Sequence, residues 1–148
     1  MPTGIGTWWK SAAHSRGSDT TGNAMQILAK DNANNGVLSN TNIHYFGPAD
    51  HAQDAANQLD QLSGGTQTSI TLQNHKDDPV GNLFFIGNNP PTYGKIPDGS
   101  SKLKETLNVF TGDYTVHSCY GVNANRDNCK KPYGDPETLI IRSDRSKP

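Results

Sequence analysis

A serine between small residues is the first feature of the chain that could do chemistry. Ser15 lies in the segment Ala13-His14-Ser15-Arg16-Gly17, between a strand-like and a helix-like stretch. A sharp strand-to-helix turn presents a serine hydroxyl above the sheet edge, and crowding at such a turn favours small neighbours. The N-terminus of the following helix would lie beneath the hydroxyl, and the Arg16 N–H could donate to a developing oxyanion, with Gly17 lining the same site. The pattern predicts a nucleophile at Ser15, although an ordinary polar turn fits it too.

An aspartate and a histidine that could complete a catalytic triad follow Ser15 along the chain. Asp78 comes shortly after a strand-like segment, and Pro79 restricts the turn behind it, with Asp77 as an alternative acid. His117 is the one histidine after Asp78 in the sequence. An imidazole can take the serine proton, and a carboxylate can hold the imidazole in the required tautomer. The order of nucleophile, acid and base is that of α/β-hydrolases.

Alternating strands and helices must position these three side chains. Runs of β-branched or aromatic residues predict strands at 7–13, 43–46, 69–74 and 139–141, and a strand or buried loop at 83–86. Apolar residues at helical spacing predict helices at 20–31, 52–59 and 102–110, and Ser18 or Asp19 is the expected cap of the first. We therefore expect an α/β fold with a small parallel sheet and crossover helices, whose strand ends share one rim.

Length and composition favour one domain with a small core. The chain has 148 residues, 32% of them hydrophobic, so residues 1–148 should form a single α/β domain with loose ends at 1–6 and 143–148. Trp8 and Trp9 are consecutive and would face opposite sides of a strand. We expect one indole in the core and the other covering a sheet edge or a partner protein.

Charge and cysteine content narrow the possible partners. The formal net charge is -1 and no basic stripe stands out, so a nucleic-acid partner is not expected. No apolar run is long enough for a transmembrane segment, and residues 1–11 lack an apolar signal core, so an export signal would lie elsewhere, for instance on a larger precursor.

Cys119 and Cys129 could form a local disulfide in a secreted protein or remain free thiols. Neither a metal site nor a cofactor is expected, because no second cluster supplies ligands.

The chain resembles a known group of proteins over about residues 13–121. The segments A-H-S-R-G, Y-F-G-P-A, N-H-K-D-D-P-V-G and H-S-C-Y-G are similar to lipase-like α/β-hydrolase segments near the C-termini of bacterial filamentous haemagglutinins, which include contact-dependent growth-inhibition proteins. The resemblance implies the C-terminal half of an α/β-hydrolase, with Ser15, Asp78 and His117 as the triad and with Gly47 and Pro48 lining the site. This chain departs from that group in two ways, because Ala13 stands where the first glycine of the serine motif is expected and few residues precede the serine.

The resemblance also implies a setting and a substrate class. It implies a secreted or cell-surface toxin domain, delivered into a neighbouring cell, with an immunity protein as partner and a small ester or lipid as substrate. The expected function is therefore esterase- or lipase-type hydrolysis through an acyl-serine. Two alternatives remain, a toxin of another chemistry such as a nuclease using His117, and a non-catalytic interaction module.

Overall fold

The described structure contains four strands and four helices, joined by turns and loops. The computed structural model describes residues 8–82, 87–94, 107, 108, 111 and 115–145. In chain order the elements are β1 (Trp9–His14), α1 (Arg16–Leu28), β2 (Thr41–Phe46), α2 (Ala52–Leu62), β3 (Ser69–Gln73), α3 (Pro79–Asn82), α4 (Asp127–Tyr133) and β4 (Leu139–Arg142). Short 3-10 turns lie at Asn32–Asn34, Val116–Ser118 and Gly121–Asn123.

The sheet is mixed, which corrects the expectation of a parallel sheet. Its spatial order is β1-β2-β3-β4, with β1, β2 and β3 parallel and β4 antiparallel to β3. The chain reaches β4 from the rim where the parallel strands end, because the carbonyl of Tyr133 at the end of α4 lies 3.2 Å from Nε2 of His75, just past β3. A strand that starts at this rim runs opposite to its neighbours, whereas a parallel one would need another crossover.

One face of the sheet packs against α1 and α2 and forms the core. Alternate strand residues are buried there, namely Ala13, Ile43, Tyr45, Ile70 and Leu72. The predicted helical spacing of α2 is confirmed, because its small and apolar residues Ala52, Ala55, Ala56 and Leu59 are all fully buried against this face. Small residues on α2 let the helix approach the strands closely, so a compact core forms despite the low hydrophobic content.

The first strand is an edge strand, and its start is exposed. Trp8 is 59% exposed and Trp9 is 71% exposed, so the expectation that one indole lies in the core is wrong. Within β1 only Ala13 is buried, and it lies one residue before the strand ends, near the start of α1. The helix therefore covers the end of the strand that leads to Ser15.

The first helix begins earlier than the capping pattern predicted. Its first residue is Arg16, Ser15 occupies the N-cap position without a side-chain cap, and neither Ser18 nor Asp19 caps the helix. Ser18 is instead fully buried in the first turn, and its hydroxyl donates to the Ser15 carbonyl at 2.6 Å. The predicted turn is therefore tighter than expected, and α1 begins directly after Ser15.

The chain end is more closely attached than expected. The Ser143 N–H donates to the Thr68 carbonyl at 2.8 Å, and Arg145 Nη1 donates to Gln61 Oε1 at 3.0 Å, so residues 143–145 are not loose. The segments 1–6, 83–86 and 146–148 and most of the helix predicted at 102–110 lie outside the described residues. Among the helices that are described, none has the length and apolar character needed to cross a membrane.

Candidate functional site

The turn at Ser15 has a strained backbone. Ser15 has φ 53° and ψ -127°, a conformation that costs a residue with a Cβ about 1–3 kcal/mol. Neighbouring segments hold it in place, because its N–H donates to the Phe46 carbonyl at 3.3 Å and its carbonyl accepts from the N–H of Ala49 at 3.3 Å and of Ser18 at 3.0 Å. The turn therefore presents the Ser15 side chain between β1 and α1 at the rim of the sheet.

Asp78, the predicted acid, lies in the turn that follows β3 and is completely buried. Its carboxylate accepts hydrogen bonds from three different groups. The Val80 N–H reaches Oδ1 at 2.8 Å, the Tyr120 hydroxyl reaches Oδ2 at 2.6 Å, and Nδ1 of His117 lies 3.0 Å from Oδ1 and 2.9 Å from Oδ2. A buried carboxylate needs such donors to offset its lost hydration, and here one of them is the predicted base.

The side chain of His117, the predicted base, is held by its contact with Asp78. His117 lies in the 3-10 turn Val116–Ser118, and its side chain is 13% exposed. An ionised carboxylate only accepts hydrogen bonds, so the Asp78 contact assigns the proton to Nδ1 of His117 and leaves Nε2 as the acceptor. Within the part of the chain that the structure describes, Nε2 has no recorded hydrogen bond. With respect to the described residues, Nε2 is therefore open to take a proton.

Contacts with His14 place His117 near the turn at Ser15. Its ring stacks on the His117 ring with centroids 4.7 Å apart, and its Nε2 lies 2.8 Å from the His117 carbonyl oxygen. Since His14 directly precedes Ser15, His117 lies at the end of β1 that carries the predicted nucleophile. No hydrogen bond from Ser15 Oγ to His117 is recorded in the described structure. Catalytic hydrogen bonds are often formed only once substrate is bound.

The alternative acid, Asp77, faces a different group. Its side chain is 5% exposed, and Oδ2 lies 3.3 Å from Nζ of Lys76 and 4.0 Å from Nδ1 of His75. Its N–H donates to that His75 nitrogen at 3.1 Å. Of the two candidate acids, it is therefore Asp78 that contacts His117.

The residues predicted to line the oxyanion site divide into two groups. Arg16 and Gly17 are the first residues of α1, where N–H groups have no intrahelical partner and can face an anion. A Cβ at Gly17 would meet nothing within 4 Å, so the crowding that we expected there is absent. The N–H of Gly47 donates to the Gln73 carbonyl at 2.9 Å, and Pro48 has no N–H, so neither is an oxyanion donor.

Gly47 serves the acid instead. It has φ 47°, and a Cβ there would lie 2.5 Å from Asp78 Oδ2 and 2.5 Å from Cε2 of Tyr120. A positive φ and this close approach both require glycine. The residue therefore leaves the space in which the acid and the tyrosine meet.

Tyr120 is the site residue that sequence analysis missed. Its hydroxyl accepts from the His75 N–H at 2.8 Å and donates to Asp78, and the ring is 5% exposed. Burial, followed by the nearby Asp78 carboxylate, raises the pKa of Tyr120 well above its usual value. Only its position three residues after His117 could have suggested a role, because the hydrogen bonds depend on segments distant in sequence.

The disulfide and a small cavity border the same turn. Cys119 and Cys129 are joined, and both are buried. The bond ties the segment that follows His117 to α4. Beside His14 and Tyr120 opens a cavity of about 380 Å³, mostly apolar in its walls. Its volume lies near the lower end of the range for small-molecule sites.

The described residues hold no cluster of three or more potential metal ligands. Comparison with protein families, curated proteins and solved structures finds no match for this chain. The geometry of the site is therefore the basis for assigning its chemistry.

Proposed function

We propose that this chain is a serine hydrolase that cleaves an ester through an acyl-serine intermediate. The observation that carries the proposal is the bond between the buried Asp78 carboxylate and Nδ1 of His117, which leaves Nε2 free to act as a base. The strained turn at Ser15 supports it, since strained backbone recurs where a nucleophile is presented.

Each residue has one role in the proposed reaction. Nε2 of His117 takes the Ser15 hydroxyl proton while Oγ attacks the ester carbonyl, and the C=O electron pair moves to the oxygen. The N–H groups at the start of α1 stabilise that oxyanion. His117 then returns the proton to the departing alcohol, and water repeats the sequence to release the acid and restore Ser15. Asp78 stays ionised and holds the imidazolium.

The substrate proposed for this site is a small ester or lipid. The cavity beside His14 is walled chiefly by apolar groups such as Ala12, Phe46 and Val122, which suits an uncharged substrate. By resemblance, we further propose a secreted or cell-surface toxin domain, delivered into a neighbouring cell and neutralised by an immunity protein.

A fluorophosphonate probe tests the mechanism directly. It should label the wild-type chain at Ser15, located by mass spectrometry, and labelling should be lost in Ser15→Ala and strongly slowed in His117→Gln. Ser11→Ala, which removes a serine from the same strand, is the matched control and should label normally. Full ester hydrolysis by Ser15→Ala would refute the proposal, and RNA degradation that depends on His117 but not on Ser15 would indicate the nuclease alternative.

One observation favours a second candidate, a non-catalytic interaction module. Trp8 and Trp9 are both largely exposed at the start of an edge strand, and exposed aromatic residues are enriched in interfaces. Under this alternative the folded chain would resist the fluorophosphonate probe. Replacing both indoles by serine would abolish partner binding and leave the fold unchanged.

A further inference from the structure

The buried carboxylate of Asp78 is shared between two side chains. Oδ2 accepts from the Tyr120 hydroxyl at 2.6 Å and lies 2.9 Å from Nδ1 of His117. The tyrosine contact is the shorter of the two, and both donors approach the same oxygen. The charge that Asp78 offers to the imidazole is therefore divided with Tyr120.

The Tyr120 hydroxyl both accepts and donates a hydrogen bond, and this fixes its position. The oxygen accepts from the His75 N–H at 2.8 Å, so its single proton is directed to Asp78. His75 lies two residues after the end of β3, so this bond connects the acid to the backbone that leaves the sheet. Gly47 leaves the space for the contact, since a Cβ there would strike both Asp78 and the Tyr120 ring.

We propose that Tyr120 is a positioning residue that holds Asp78 for His117 and limits the negative charge that the imidazole meets. The inference rests on the proposed function, because it assigns a role within the same triad. Among the described residues no hydrogen bond joins Tyr120 to Ser15, and the Tyr120 hydroxyl acts through the acid, while its ring lines the cavity beside His14.

The titratable groups around the base come from three segments. Asp78 faces His117 from the turn after β3, His14 stacks on it from β1, and the Tyr120 ring stands nearly perpendicular to it with centroids 6.3 Å apart. Behind Tyr120 lies Tyr93, whose ring centroid is also 6.3 Å away. Removing the Tyr120 hydroxyl therefore takes one donor from Asp78 and the acceptor from the His75 N–H, and leaves the other titratable groups around His117 in place.

The variant Tyr120→Phe tests this role, with Tyr93→Phe as the matched control. Tyr93 is buried against the same ring, but its hydroxyl donates to the Cys119 carbonyl at 3.3 Å and not to Asp78. Without the Tyr120 donor, Asp78 presents more negative charge to His117, so the imidazolium is favoured. We expect the pKa of His117 to rise by about half a unit to one unit in Tyr120→Phe and to stay unchanged in Tyr93→Phe.

Two measurements report that shift. An NMR titration of the His117 ring follows it in the free protein, without any need for activity. In the pH profile of ester hydrolysis the acidic limb should move to higher pH by the same amount, because only the neutral imidazole is a base. We also expect kcat to fall about tenfold with KM unchanged, since holding Asp78 in place matters most when His117 becomes charged.

The outcomes separate this inference from the proposed function. An unchanged or lowered pKa of His117 in Tyr120→Phe, in a variant that folds, would overturn the positioning role even if the wild-type chain hydrolyses esters. If the wild type shows no Ser15-dependent hydrolysis but the NMR shift occurs, the link between Tyr120, Asp78 and His117 stands and the hydrolase proposal fails.

Discussion

The rings of His14 and His117 are stacked at an interplanar angle of 28°, with centroids 4.7 Å apart. His14 Nε2 also donates to the His117 carbonyl oxygen at 2.8 Å, so one side chain holds both the ring and the backbone of the base. Desolvation by burial, and then the charge of His117, lower the pKa of His14, while its backbone bond and Asp78 oppose this. His14 therefore favours its neutral form in the folded state.

This contact predicts a loss of stability in mild acid. The unfolded chain protonates His14 near pH 6.5, whereas the folded chain does so only at lower pH. The unfolded state then binds more protons, so the contribution of His14 is complete above about pH 6.5 and is lost as the pH falls below it. His14→Gln, which cannot titrate, should lose less stability than wild type between about pH 7.5 and about pH 5.5 in urea unfolding.

The matched control for that experiment is His51→Gln. His51 precedes α2, and its Nδ1 lies 3.4 Å from Asp54 on the surface. The His51→Gln profile shows how much of the pH dependence changes when an exposed histidine is removed. A His14→Gln profile that coincides with wild type would show that the stacked pair does not disfavour protonation.

Replacing the acid should reduce activity without unfolding the chain. Asp78→Asn keeps the shape of the side chain but places an amide donor where His117 Nδ1 needs an acceptor, which favours the wrong imidazole tautomer. We expect kcat for ester hydrolysis to fall about 10⁴-fold, as in other triads that lose the carboxylate. Asp77→Asn is the control, because Asp77 faces Lys76 and should tolerate the change. Equal losses in the two variants would contradict the assignment of Asp78.

A side chain at Gly47 should disturb the acid and the tyrosine together. Gly47→Ala places a Cβ 2.5 Å from both Asp78 Oδ2 and the Tyr120 ring, in addition to the strain of a positive φ. Gly64→Ala pays only the backbone strain, because φ is 64° and its nearest neighbour is 3.7 Å away. The free energy of unfolding should therefore fall by about 1–3 kcal/mol more in Gly47→Ala. Similar losses in both variants, measured by chemical denaturation, would mean that the contact is loose.

The turn at Ser15 should store strain that glycine relieves. Ser15→Gly and Ser15→Ala both remove the nucleophile, but only alanine keeps the Cβ at φ 53°. We expect Ser15→Gly to be more stable than Ser15→Ala by about 1 kcal/mol or more, measured as the free energy of unfolding. Equal stabilities would indicate that the turn relaxes when the hydroxyl is removed.

Local patterns were sufficient to locate most elements of the first half of the chain. The spacing of Ala52, Ala55, Ala56 and Leu59 on α2 and the short strand runs of β2 and β3 depend on neighbours in sequence, so they could be predicted. The start of α1 could not, because the turn at Ser15 is held by Phe46 and Ala49, which are distant in sequence. The direction of β4 also depended on where the preceding segments leave the chain.

The sequence by itself determined the residue types that the site can use, namely a serine after a strand, an aspartate after another strand and one later histidine. Only the tertiary structure decided that Asp78 and not Asp77 meets His117, that Gly47 faces the acid, and that Tyr120 completes the contact. The physical reason is that these choices depend on hydrogen bonds and packing between segments distant in sequence, as in the pairs His117–Asp78 and Tyr120–His75, which are 39 and 45 residues apart. No local pattern encodes such distances, because the fold alone brings those segments together.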